Sequence, residues 1–202
     1  MRIGLIIVLM LLVTGCASVA PSRALQQYES VTLAPWVGDA KAVTGVSFTR
    51  SAQGRDSASL IGICVSQNVT NRSVTVTGQE STYIGPYTGR VYSNVKSDSV
   101  SGGEVVLFAS EDGNSVVAQG SESYQVPMLV PVEKSVRYTL TATEIQNGFK
   151  YAFTNIESAQ LNTGVVANQG YSKLGAHEGA SPELALAALE SLASDIDSCM
   201  YQ

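Results

Sequence analysis

A chain of 202 residues is long enough for one domain of ordinary size or two very small ones, and at 45% hydrophobic residues it can bury a core. Charged residues make up only 14%, against roughly 25% in an average soluble domain, while Gly, Ser, Thr and Val are plentiful. That composition excludes collagen, coiled coil, a disordered chain and a multi-span membrane protein, and the net charge of −5 offers no basic stripe for phosphate, so no nucleic-acid partner is expected.

At the start, Arg2 supplies a positive charge and residues 3–13 form an almost unbroken apolar run, too short for the roughly 20 residues that span a bilayer. It is followed by Val13-Thr14-Gly15-Cys16, small residues leading to a cysteine. This segment resembles the bacterial lipobox. The resemblance implies a lipoprotein signal peptide over residues 1–15, cleavage after Gly15, diacylglycerol on the Cys16 sulfur with palmitate-type acylation, and a membrane partner through that anchor. Ala17 stands where the family's inner-membrane retention signal has Asp. The implied location is therefore the outer membrane, with the domain facing the periplasm.

Residues 16–42 mix Ser, Ala, Pro and Gln without sustained periodicity and read as a lipidated N-terminus and tether, with a helical turn near residues 24–28. As a flexible coil this segment would reach about 30 Å. Trp36, beside Pro35, could dock it on the domain. A single α+β domain is expected over residues 43–202, with a first strand over 43–49 and a polar turn over 51–56. Residues 57–68 are ambiguous. Leu60, Ile61, Cys64 and Val65 follow helical spacing, whereas residues 60–65 also form a continuous apolar run that suits a buried strand; we favour the helix.

Val74 and Val76 alternate with polar neighbours in a short strand over 73–77. The next stretch concentrates Tyr83, Tyr87, Arg90 and Tyr92 with two glycines, read as a loop ahead of a polar run over 93–103. Tyr and Arg on a Gly-shaped loop give large contact area at low entropy cost, the composition of recognition surfaces. The alternative is that the tyrosines cover a sheet edge. Within this stretch Thr88-Gly89-Arg90-Val91-Tyr92 is similar to a short motif of membrane-bound inhibitors of c-type lysozyme, with Thr in place of Ser; the second motif of that family is not evident, and this chain is longer.

Two hairpins follow. Residues 104–110 and 115–119 flank Glu111-Asp112-Gly113-Asn114, and residues 136–142 and 149–155 flank a connection with Asn147-Gly148, the dipeptide favoured in type I′ turns. Phe149, Tyr151 and Phe153 share one strand face, built for a core. At the C-terminus Ser181-Pro182-Glu183 provides an N-cap, an N1 proline and a first-turn acid, and Ala185, Leu189, Leu192, Ala193, Ile196 and Met200 form the apolar stripe of the helix that follows. The expected fold is an antiparallel β-sheet packed by this C-terminal helix and a second one. Its element order resembles small α+β lipoprotein domains with a TATA-binding-protein-like arrangement.

Cys64 and Cys199 remain after Cys16, an even number in a compartment that permits disulfides, and Cys199 lies on the edge of the helix stripe. A Cys64–Cys199 bond is expected, the alternative being two buried thiols. No metal site is expected, since His177 is the sole histidine and the cysteine spacing fits no zinc pattern. Nor is a cofactor expected. Nucleophile-elbow, P-loop, H-E-x-x-H and dinucleotide motifs are all absent. The acid pairs Glu111/Asp112 and Asp195/Asp197 are expected to be solvated. The sequence therefore reads as a non-catalytic envelope lipoprotein, a binding, adaptor or inhibitor/immunity module for another envelope component, the alternative being a glycan- or peptide-processing hydrolase with an unrecognised carboxylate site.

Overall fold

The computed structural model describes residues 19–51 and 60–200. Its strands are β1 (Val31–Pro35), β2 (Lys41–Ser51), β3 (Val74–Ile84), β4 (Val91–Val100), β5 (Val106–Ala109), β6 (Ser115–Val126), β7 (Val132–Ile145), β8 (Gly148–Gln160) and β9 (Ser172–Gly175), with helices α1 (Ile61–Asn68) and α2 (Pro182–Cys199). Seven strands form an antiparallel sheet in the order β1-β2-β9-β8-β7-β6-β5, and β3 and β4 form a separate two-stranded ribbon. The fold is α+β.

The alternation seen in the sequence builds the core. Phe149, Tyr151 and Phe153 lie inward on β8; Leu140 and Ala142 of β7 stand opposite Phe153 and Tyr151, and Ala118 and Val116 of β6 continue the rows. The expected stripe of α2 closes over this face, with Ala185, Leu189, Leu192, Ala193, Ile196 and Met200 all buried. Residues 61–68 are helical. Their buried side chains, Ile61, Cys64 and Val65, recur at the helical period, so α1 lies beside α2 on the same layer. Cys64 and Cys199 are disulfide-bonded, with their Cα atoms 5.7 Å apart. Arg50 of β2 reaches Glu190 Oε1 and Ser194 Oγ of α2, each at 3.3 Å.

Several features depart from the expectations. Ser181 occupies the N-cap position of α2 but sits in the left-handed region (φ 52°) and its side chain caps nothing, because a 3-10 turn over Glu178–Ala180 runs directly into the helix. Asp197 is 9% exposed rather than solvated, and Tyr151 Oη donates to its Oδ1 at 3.4 Å. Much of the expected tether belongs to the domain: Leu25, in a 3-10 turn over Arg23–Gln27, is in the core, Ser22 N donates to Ala176 O at 2.7 Å, and β1 is an edge strand paired to β2. Pro35 ends β1, where an edge strand tolerates a missing donor.

Asn155 gives β8 a second half that simple alternation does not foresee. Its φ of 52° places it in the left-handed region, and pairing shifts there, from Thr139 opposite Thr154 to Arg137 opposite Glu157. One extra residue on β8 exchanges the faces. Ile156 consequently enters the core and Glu157 stands on the far, polar face.

Candidate functional site

The ribbon of β3 and β4 is an arm. At its root β3 is bonded to the segment after β8: Thr77 N donates to Leu161 O at 2.7 Å, Thr163 N to Thr77 O at 3.0 Å and Gln79 N to Val166 O at 3.1 Å. Val76 and Gly78 are buried there. Beyond the irregularity between Gln79 and Ser81 both strands are solvent-exposed to the tip. The candidate recognition residues are not in a free loop. Tyr83 and Tyr92 are cross-strand partners whose rings stack at 5.2 Å with an interplanar angle of 15°. The next pair, Ile84 and Val91, points to the opposite face, and these two side chains are 67% and 68% exposed.

The tip is shaped by glycine at two points. Gly85 has no room for a Cβ, which would fall 2.8 Å from Tyr92 Cε2, so its bareness lets the tyrosine ring lie over the turn. Gly89 takes a φ of +63°, and its N–H donates to Gly85 O at 2.9 Å. Gly85 N in turn donates to Arg90 O at 2.9 Å. Tyr87 crowns this turn at 99% exposure, with Arg90 exposed beside it. None of the three tyrosines is buried against the main sheet.

Between the arm root and the polar face of the sheet lies a cleft of about 340 Å³, lined by Asn71 and Arg72 on one side and Arg137, Asn155, Glu157 and Tyr171 on the other. Two of its charges, Arg137 and Glu157, engage each other. Arg137 Nε donates to Glu157 Oε2 at 2.6 Å, and the guanidinium carbon lies 4.6 Å from the centre of the Tyr171 ring. Tyr171 Oη donates to Ser135 Oγ at 2.7 Å, and burial raises the Tyr171 pKa above the ordinary phenol range. Among the described residues Glu157 is the one carboxylate lining this cleft, and it already accepts from Arg137. The cleft offers hydrogen-bonding groups to a polar molecule. It does not bring two carboxylates together.

These cleft residues carried no sequence signal, because they come from separate segments and because Arg137 meets Glu157 only through the irregularity at Asn155. Cys16 lies outside the described residues. Cys64 and Cys199 are joined across α1 and α2 and line neither the arm nor the cleft. Glu111 and Asp112 lie at the β5–β6 turn, where Asp112 Oδ1 accepts from Asn114 N at 3.1 Å; hydrogen bonding from Ser110 and Asn114 holds the Asp112 carboxyl below its usual pKa. His177 follows β9. Its Nδ1 is buried without a hydrogen-bond partner, and a Cβ on Gly175 would fall 2.8 Å from its Cε1. Among the described residues no group of three or more His, Cys, Asp and Glu could hold a metal, and no helix is long and apolar enough to cross a membrane.

No family model matches the chain, and no curated protein or solved structure is similar to it.

Proposed function

We propose that this protein is a lipid-anchored envelope module, acylated on Cys16, which binds another envelope protein through the tip of its β3–β4 arm. One observation carries the reading. The body seals its core with its own helices, whereas the arm holds Tyr83, Ile84, Tyr87, Val91 and Tyr92 exposed together on a two-stranded projection. Contiguous exposed apolar and aromatic side chains on a soluble domain mark interaction surfaces, and Tyr and Arg are enriched among the residues that dominate binding energy. The stacked tyrosines arrive pre-ordered, so less side-chain freedom is lost when they are covered.

A photo-crosslinking residue in place of Tyr87, in cells carrying the full chain, tests this. A discrete crosslinked protein is expected, together with loss of membrane association in Cys16→Ser. Replacing Tyr87, Arg90 and Tyr92 by Ala should weaken that complex by more than about 30-fold while melting stays within about 0.5 kcal/mol of the parent. Strong destabilisation, or a complex indifferent to all three substitutions, overturns the binding role of the tip.

A further inference from the structure

Among the described residues the outer edge of β4 is unpaired along its length, since β4 is bonded to β3 on one side only and every residue from Val91 to Ser99 is exposed. An open strand edge of this length is a template for another strand, and proteins blunt such edges with charge, proline or covering segments. β4 has no proline and no cover among the described residues. Its charges are Lys96 and Asp98, two residues apart on the same face, with Nζ 3.3 Å from Oδ2 and both side chains about half exposed. This pair makes the edge complementary to itself.

We infer that β4 is a self-association edge, on which two copies of this chain pair antiparallel about a two-fold axis at Ser97, forming a four-stranded sheet β3-β4-β4-β3. Pairing about a two-fold is isologous, so each position faces a fixed position of the second copy. With Ser97 facing Ser97, Lys96 of each copy falls opposite Asp98 of the other, giving two cross-strand ion pairs on one face. Shifting the axis to Lys96 sets lysine against lysine, and shifting it to Asp98 sets acid against acid; like charges directly opposite are destabilising. The charges therefore select one register. In that register Val91 and Tyr92 run on past the second copy's Val100, level with Gly103 and Gly102, so the paired stretch ends at Val100.

Residues 94–100 of each copy would pair, fewer than the about 20–30 residues a side of a standard interface, so the free association is weak. Confinement of both copies to one surface would raise their effective concentration. The inference itself rests on β4 alone and not on the function of the tip.

Cysteine crosslinking and charge exchange in the full-length, disulfide-intact protein test it. Directly opposed residues in an antiparallel pair have Cα atoms about 4.5–5.5 Å apart, inside the range a disulfide bridges. Ser97→Cys should therefore give a covalent dimer on mild oxidation. Ser99→Cys should give at least tenfold less, because its symmetry mate lies about 13 Å away. Lys96→Asp and Asp98→Lys should each weaken self-association about tenfold in sedimentation equilibrium, and the exchange of both should restore it. Equal crosslinking of the two cysteine variants overturns the register. Sedimentation as a monomer at every concentration, or no recovery in the exchanged variant, overturns the inference. Tyr87→Ala should leave the dimer intact, which separates failure here from failure of the tip as a binding surface.

Discussion

In the body, Phe149, Tyr151 and Phe153 face two helices and are sealed from solvent; in the arm, Tyr83, Ile84, Val91 and Tyr92 stand on equally regular strands with nothing over them. The difference lies outside the strands. α1 and α2 give the sheet a second layer, tied by the Cys64–Cys199 bond, whereas among the described residues the ribbon is held by the 160–168 segment at its root. An isolated two-stranded hairpin is marginal in water, so the arm's order depends on that root while the body's depends on its core.

Losing the helix staple should have the largest effect and should fall on the body. Replacing Cys64 and Cys199 together by Ser opens a link spanning 135 positions, and on the chain-entropy model this costs about 5 kcal/mol. Denaturant unfolding should show the loss. Hydrogen exchange in the outer arm should change far less than in α1 and α2, and equal change in both would merge the two regions into one cooperative unit.

Gly78→Ala attacks the root. A Cβ there would fall 2.5 Å from Thr163 Oγ1 and 2.6 Å from both Asn168 N and Val166 O, two of them backbone atoms that cannot swing aside. Displacing this segment should cost about 1–3 kcal/mol, felt as faster proteolysis of the arm, with the far-ultraviolet signal of the body retained. An arm as resistant as the parent's would show that its order does not come from the root.

The smallest effect belongs to Glu122 of β6, half-buried on the helix side, where Tyr138 Oη donates to its Oε1 at 3.4 Å. Burial raises its pKa above the ordinary carboxylate value, with the nearby Asp195 acting in the same direction and the Tyr138 hydrogen bond opposing. A raised carboxyl pKa means that the native state binds the proton more tightly than the unfolded chain. Its contribution to stability is then present at low pH and is lost as pH rises through the folded value. Glu122→Gln should stabilise at neutral pH by less than about 1 kcal/mol, since solvent still reaches the group, and the gain should vanish on acidification toward the ordinary carboxylate range. Chemical denaturation at two pH values reads this, and a gain independent of pH would remove ionisation as its cause.

What was legible in the sequence was local. Alternation through Phe153 marks the core face, Pro182 starts α2, and an even number of cysteines after Cys16 pairs Cys64 with Cys199. The β7–β8 hairpin lies where Asn147-Gly148 placed it, but its connection is Gln146-Asn147, Gly148 of β8 already pairs with Ile145, and neither Asn147 nor Gly148 has the positive φ of a type I′ turn. The alternation stops being readable at Asn155, where one residue of left-handed backbone exchanges the faces and hides both Ile156 and Glu157. β4 was illegible for another reason. Ser93, Asn94, Lys96, Ser97, Asp98 and Ser99 have little preference for strand, and their conformation is imposed by pairing with β3. The tyrosine cluster was visible as composition, yet its stacking required the register, and the cleft required six segments that no spacing connects.

The docking of the N-terminal segment fixes a distance. The folded body begins at Ser22, bonded to Ala176, so six steps of chain separate it from Cys16, and even fully stretched they span at most about 21 Å. A body of this size has a radius of gyration of about 16 Å and is therefore about 40 Å across. With Cys16 acylated as proposed, the leash is shorter than what it holds. The domain would ride low against the bilayer like a moored hull, free to turn about its mooring but barred from deep water. Encounters, with its own kind or with another, would then be largely those of neighbours drifting on the same surface.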